Sequence, residues 1–138
     1  VNVGFTGTKD GITEGQVKAL RQLILQLLEK NTTLVGHHGD CVGADASFHT
    51  ICSNLGLPVV IHPPSDPKHR AFCKPSRDVR APKPYLERNH DIVDETDVLI
   101  ACPSSLREEL RSGTWATVRY ARKQSKPLWI IYRSTPQP

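Results

Sequence analysis

The chain has no apolar run approaching the ~18–20 residues needed to cross a bilayer, and no signal-peptide pattern opens it. No membrane partner is expected, and a cytoplasmic location is. The sequence starts directly on an apolar stretch, Val1–Phe5, so a residue or two ahead of it is expected to be missing. Paired cysteine spacing is also lacking. Cys41, Cys52, Cys73 and Cys102 are scattered, which argues against a disulfide framework and for reduced thiols. Cys41, Asp45 and His49 do recur every four residues, with His37 and His38 close by. There is no Cys-x-x-Cys or His-Glu-x-x-His pattern, however, so neither a metal nor a bound cofactor is expected. Internal repeats and low-complexity blocks are absent. A length of 138 residues fits one domain, 1–138, with a respectable core, and would cramp two.

What is present is unevenly placed. Residues 63–84 hold Lys68, Arg70, Lys74, Arg77, Arg80 and Lys83 against Asp66 and Asp78, an excess of +4 that equals the net charge of the whole chain. The protein is therefore a neutral domain carrying one basic segment. That segment also contains six of the eleven prolines and no periodicity, and it is long for a connection in a compact domain. It reads as a solvated connection, a nucleic-acid contact, or a lid whose Arg77, Arg80 or Lys83 closes over ligand phosphates. The sparse aromatics nearby, Phe72 and Tyr85, disfavour a single-strand-binding surface that needs stacking platforms. The lid is the preferred reading.

Periodicity orders the rest. Val1–Phe5 reads as a buried strand ending at the turn Thr6-Gly7-Thr8. Thr13 caps a helix with Gln16 as its capping-box partner, and Val17, Leu20, Ile24, Leu27 and Leu28 form one buried stripe. Leu34–Val35 lies in a second strand, broken at Gly36–Gly43. The next helix sets Ala44, Phe48, Ile51, Cys52 and Leu55 on one face and stops at Gly56 and Pro58. Val59–Ile61, Val98–Ala101 and Leu128–Tyr132 read as strands, and Tyr85–Glu95 and Ser112–Gln124 as helices. The tail Ser134–Pro138 is expected to fray. Alternating strands and helices imply an α/β fold: a Rossmann-like, doubly wound, mainly parallel five-stranded sheet with helices on both faces. In such sheets ligands sit beyond the carboxyl ends of the strands, where strand order reverses.

Three strand-to-helix loops there are rich in small and hydroxyl residues: Gly4-Phe5-Thr6-Gly7-Thr8-Lys9, Gly36 to Gly43, and Arg111-Ser112-Gly113-Thr114. Small residues let backbone N–H groups approach an anion, and a helix N-terminus adds free donors and a favourable dipole.

Four stretches carry a family resemblance. They are Gly4-Phe5-Thr6-Gly7-Thr8; His38-Gly39-Asp40-Cys41-Val42-Gly43-Ala44-Asp45; Glu87-Arg88-Asn89 leading into Asp97–Ala101; and Ser112-Gly113-Thr114-Trp115-Ala116-Thr117, with Lys126-Pro127 before the last strand. Together they span nearly the whole chain. They resemble the SLOG superfamily, the Rossmann-like group that includes the LONELY GUY phosphoribohydrolases and the DNA-processing protein of natural transformation, and within it small stand-alone members.

The resemblance implies a nucleotide or nucleotide-derived ligand, with phosphate at Ser112–Thr114 and base or sugar nearer the first two loops. The ligand-binding candidates are Gly4, Thr6, Gly7, Thr8, Gly39, Asp40, Gly43, Asn89, Pro103, Ser112, Gly113, Thr114 and Thr117. Arg88 matches the arginine of LONELY GUY-type active sites. The acid of that family's signature falls here on Thr117, so hydrolysis of an N-glycosidic bond needs another carboxylate; Asp45 and Glu109 join Arg88 as catalytic candidates. The resemblance further implies a homodimer or larger homo-oligomer, and nucleic acid as the lesser alternative partner. Plainer roles stand beside these. Asp45 could instead serve the helix dipole, Arg88 could pair with Glu87 or Asp91 at the surface, and Trp115 is read as core.

Overall fold

The computed structural model describes residues 1–133, so the tail Ser134–Pro138 lies outside the described residues. Among the described residues, six strands form one parallel sheet: β1 (Asn2–Gly7), β2 (Val35–His38), β3 (Val59–Ile61), β4 (Asp78–Val79), β5 (Val98–Cys102) and β6 (Leu128–Ile130). Their order is β4-β3-β2-β1-β5-β6, so the winding reverses between β1 and β5. Four helices connect them: α1 (Glu14–Lys30), α2 (Ala44–Asn54), α3 (Tyr85–Asp94) and α4 (Gly113–Lys123). The Rossmann-like architecture is the expected one, with six strands in place of five.

Alternation along β1 sorts the two layers. Val3 and Phe5 face the α1 and α2 side, where Phe5 stacks on Phe48 at 4.6 Å and joins Leu20, Ile24 and Ile51 in the larger core cluster. The other face carries α3 and α4, with Ile92, Val93 and Ala121 packed on Leu99 and Val118 and Trp115 on Ala101. All five residues of β5 are buried, as a central strand covered on both faces requires. Trp115 is thus a core residue.

The caps behave as their chemistry dictates. The Thr13 hydroxyl accepts from Gln16 N and the Gln16 carboxamide from Thr13 N, both at 3.1 Å, closing the capping box. Ser112 caps α4 by accepting from Trp115 N at 3.2 Å.

The sixth strand comes from the basic segment. Arg77 N and Arg80 N donate to the carbonyls of Val59 and Ile61 at 2.7 and 2.8 Å, setting Asp78–Val79 on the free edge of β3. A 3-10 turn at Pro67–His69 is capped by Asp66. The segment is therefore built into the sheet edge, and the expectation of an aperiodic connection is corrected.

Candidate functional site

A cavity of about 420 Å³ opens at the carboxyl ends of β1 and β5, where the sheet order reverses. Its floor is the first loop. Thr8 N donates to Cys102 O at 3.1 Å, and Ala44 N donates to Thr8 O at 3.0 Å, tying β1, β5 and the start of α2 together. The two loops approach this closely because Gly43 has φ +87°, a left-handed conformation, and a Cβ on it would collide with the Lys9 carbonyl. The ceiling is the N-terminus of α4. Gly113 and Thr114, at its start, have no intrahelical acceptor for their N–H groups, which leaves two donors and the positive dipole end at the cavity.

Arg88 is the central cation. It is 6% exposed, and its Nη1 donates to the carbonyl of Gly39 and, at 3.2 Å, to that of His62. Nε donates to Asn89 Oδ1 at 2.7 Å, and the guanidinium lies 5.3 Å from the Tyr85 ring centroid. These partners are neutral. The surface alternative, a pair with Glu87 or Asp91, is not what forms. A buried guanidinium satisfied by neutral acceptors keeps its full charge to offer an anion entering the cavity.

Asp45 faces the same space. It too is 6% exposed, and its Oδ2 accepts from Cys41 N at 3.1 Å. Burial pushes its carboxyl up to about 6, against the opposing pull of Arg88 and of the Cys41 and Gly39 backbone N–H groups. Because the folded value lies above the ordinary one, the stabilisation is complete at acid pH below the unfolded value and is lost as pH rises through about 6. Asp45→Asn keeps the acceptor and removes the charge. It is expected to match the parent in urea unfolding near pH ~4 and to exceed it by roughly 1–3 kcal/mol above pH ~7. A parent and variant equally stable at both pH values would place Asp45 in contact with solvent.

Thr6, Gly7, Thr8, Gly39, Asp45, Arg88, Asn89, Glu109, Ser112, Gly113 and Thr114 all line the cavity, so both ends of the expected site and all three catalytic candidates meet in one place. Five other candidates do not line it. Gly4 sits mid-strand under α3, where a Cβ would lie 2.8 Å from Thr96 Oγ1. Gly43 makes the loop contact described above. The Pro103 carbonyl accepts from Gln16 Nε2 at 3.1 Å. Thr117 is buried and donates its hydroxyl to Gly113 O at 2.9 Å, bracing the first turn of α4 from behind.

Asp40 is fully buried at φ +57°. It accepts from Arg70 Nε at 2.8 Å and Cys73 N at 2.9 Å. Burial alone would raise its carboxyl, but these hydrogen bonds hold it below the ordinary range. It therefore anchors the basic segment instead of reaching a ribose. The segment itself reaches the cavity through His69. Arg80 pairs with Glu95 and Asp78, and Lys83 with Asp91 at 2.6 Å. Arg77, Arg80 and Lys83 do not line the cavity, so the lid is replaced by a stapled edge. Lys9, Asp10, His69, Tyr85 and Arg111 also line the cavity, beyond the expected set. Lys9 and Arg111 are the end residues of two of the glycine-containing loops, the one signal that pointed to them.

No family model matches the chain, and no curated protein does. Solved structures match in fold. The molybdenum cofactor binding protein of Rippkaea orientalis superposes with a TM-score of 0.70 at 23% identity, over 96% of this chain and 77% of that one. DNA processing protein A of Helicobacter pylori, a structure concerned with its single-stranded DNA binding mode, gives 0.65 at 20%, over 100% of this chain and 66% of that one. DNA processing protein A of Streptococcus pneumoniae gives 0.65 at 16%, over 99% and 50%. The Rossmann-like α/β fold expected from the sequence is the fold these comparisons show. Among the described residues, no helix is long and apolar enough to cross a membrane.

Proposed function

We propose that the cavity binds a phosphorylated nucleotide or a nucleotide-derived ligand. The observation that carries this reading is the convergence of the free N–H groups of α4, the Thr114 hydroxyl, Lys9, Arg111 and the neutrally satisfied Arg88 around one space of about 420 Å³. That volume lies in the range of small-molecule sites, roughly 300–1,000 Å³, and suits one nucleotide better than a strand. The cofactor named for the Rippkaea orientalis neighbour is a further occupant to screen.

Hydrolysis of the N-glycosidic bond is the finer form of the proposal. Asp45, with its carboxyl near 6, holds or releases a proton close to neutrality and serves to protonate a leaving base. Glu109 is the carboxylate that takes a proton from water as its oxygen bonds to the sugar carbon and the bond from that carbon to the base breaks; the proton then returns to Asp45 through solvent. Arg88 holds the negative charge that develops on the departing base. Chromatography of nucleotides incubated with the protein reads the released base; intact nucleotide with measurable binding reduces the proposal to a sensor or carrier.

The basic edge supports nucleic acid less well, since three of its six cations are already matched by Asp40, Glu95 and Asp91. We also propose a homodimer. Leu86 on α3 and Leu106 and Leu110 beside the cavity are exposed at 60%, 51% and 86%, an apolar fringe that a second copy would cover. Sedimentation at micromolar concentration is expected to show about twice the 15.3 kDa chain mass, and a monomer alone would contradict it.

A further inference from the structure

His37 of β2, His62 just beyond β3 and Glu95 at the end of α3 each bring one ligand-type atom within 4.8 Å of the others, on the sheet face opposite α2. The orientation of the Asn2 amide, with Oδ1 turned toward His37, sets the proton pattern along this chain. Asn2 Oδ1 only accepts, so His37 Nε2, 2.9 Å away, is the protonated nitrogen. His37 Nδ1 is then a lone pair, and it accepts from His62 Nε2 at 2.9 Å. His62 therefore carries its proton on Nε2 and points a second lone pair, on Nδ1, at Glu95 Oε2 across 3.9 Å. Glu95 turns that oxygen toward the ring because Arg80 holds the other one twice, from Nε at 3.1 Å and Nη2 at 2.8 Å.

Two acceptors facing each other repel unless a proton, a water donating to both, or a metal cation lies between them, and burial disfavours a second proton on His62. Metal bonds of about 2.0–2.2 Å to imidazole and carboxylate set the two ligand atoms about 3.4–3.8 Å apart at tetrahedral to open angles, close to the span observed. The surroundings also match a metal's outer shell, in which the far N–H of the ligating histidine is held by a hydrogen-bond acceptor and the carboxylate by a donor. We propose that His62 Nδ1 and Glu95 Oε2 bind a zinc-class divalent cation. His37 and Asn2 position the His62 ring, Arg80 positions the carboxylate, and water completes the shell from the half-exposed Glu95 side.

The other cluster of this kind, His38, His49 and Cys73, is excluded by the same proton accounting. Asp40 N donates to His38 Nδ1 at 2.8 Å, which places the His38 proton on Nε2, donated to His49 Nδ1 at 2.9 Å. His38 keeps no free lone pair, and the buried His49 Nε2 is left a donor without a partner. The expectation that no metal is bound was drawn from the α2 side of the sheet. The proposed site lies on the other.

Zinc titrated by calorimetry into the chelator-treated full chain tests this, with proton–nitrogen spectra of the imidazoles recorded alongside. One equivalent is expected to bind saturably, shifting the His62 Nδ1 resonance while its Nε2 proton persists. Glu95→Gln, which is partly exposed and leaves the fold intact by thermal melting, is expected to weaken binding about tenfold or more, and Cys73→Ser to leave it unchanged. The proposal is overturned by the absence of saturable binding, by a His62 proton found on Nδ1, or by binding that Cys73→Ser removes and Glu95→Gln does not.

Discussion

Arg88→Ala is expected to lower the stability of the domain by about 3 kcal/mol and to abolish ligand binding together. The guanidinium is the shared donor for the carbonyls of Gly39, at the end of β2, and His62, beyond β3. Truncation leaves both without that partner, and each unsatisfied buried acceptor costs about 1–3 kcal/mol. Packing is lost as well, since Gly39 has no side chain because the guanidinium occupies that place. Arg88→Lys is expected to restore part of the charge but not the planar group whose Nη1 serves both carbonyls while its Nε holds Asn89. Urea unfolding with nucleotide titration checks both readouts. A variant as stable as the parent would show that Arg88 serves the ligand alone, and one that binds normally would remove it from the site.

Gly113→Val is expected to do the opposite to the fold and the same to the ligand. Nothing lies within 4 Å of the Cβ position at Gly113. A branched side chain is therefore accommodated without collision, and valine costs the helix no more than the glycine it replaces. It projects into the cavity that Gly113 lines and screens the N–H groups at the start of α4. Affinity for a phosphorylated ligand is expected to fall by about a hundredfold, roughly 2.7 kcal/mol, with unfolding nearly unchanged. Unchanged affinity would take the start of α4 out of the site. The two variants separate the roles the cavity combines, because one residue holds the walls and the other leaves room between them.

The architecture was legible where local and global signals agree. Thr13 and Gln16 announce the start of α1, Ser112 that of α4, and the apolar runs of β1, β3 and β5 need no partner to be recognised. β4 was not legible, because Asp78–Val79 between two arginines has neither an apolar run nor alternation; the open edge of β3 makes it a strand. β2 runs on through Gly36-His37-His38, residues that read as a turn, because neighbours on both sides supply its ladder. In the candidate site, the motif residues meet at one crevice but did not separate lining from support. Thr117 and Gly43 stand within the same motifs as Gly113 and Gly39, yet they brace the cavity from outside. The role of Asp40 turned on Arg70, thirty residues away, which no local pattern connects to it.

The central claim is that this crevice is a phosphate-anchored nucleotide site. Calorimetric titration of the parent protein with nucleoside 5′-monophosphates and with the matching nucleosides tests it most directly, at low and at physiological salt. The account predicts saturable binding of one or more monophosphates, much weaker binding of the nucleosides, and only a modest loss on adding salt. No binding of any nucleotide, nucleosides bound as tightly as their phosphates, or affinity seen only for oligonucleotides and collapsing steeply with salt would contradict it.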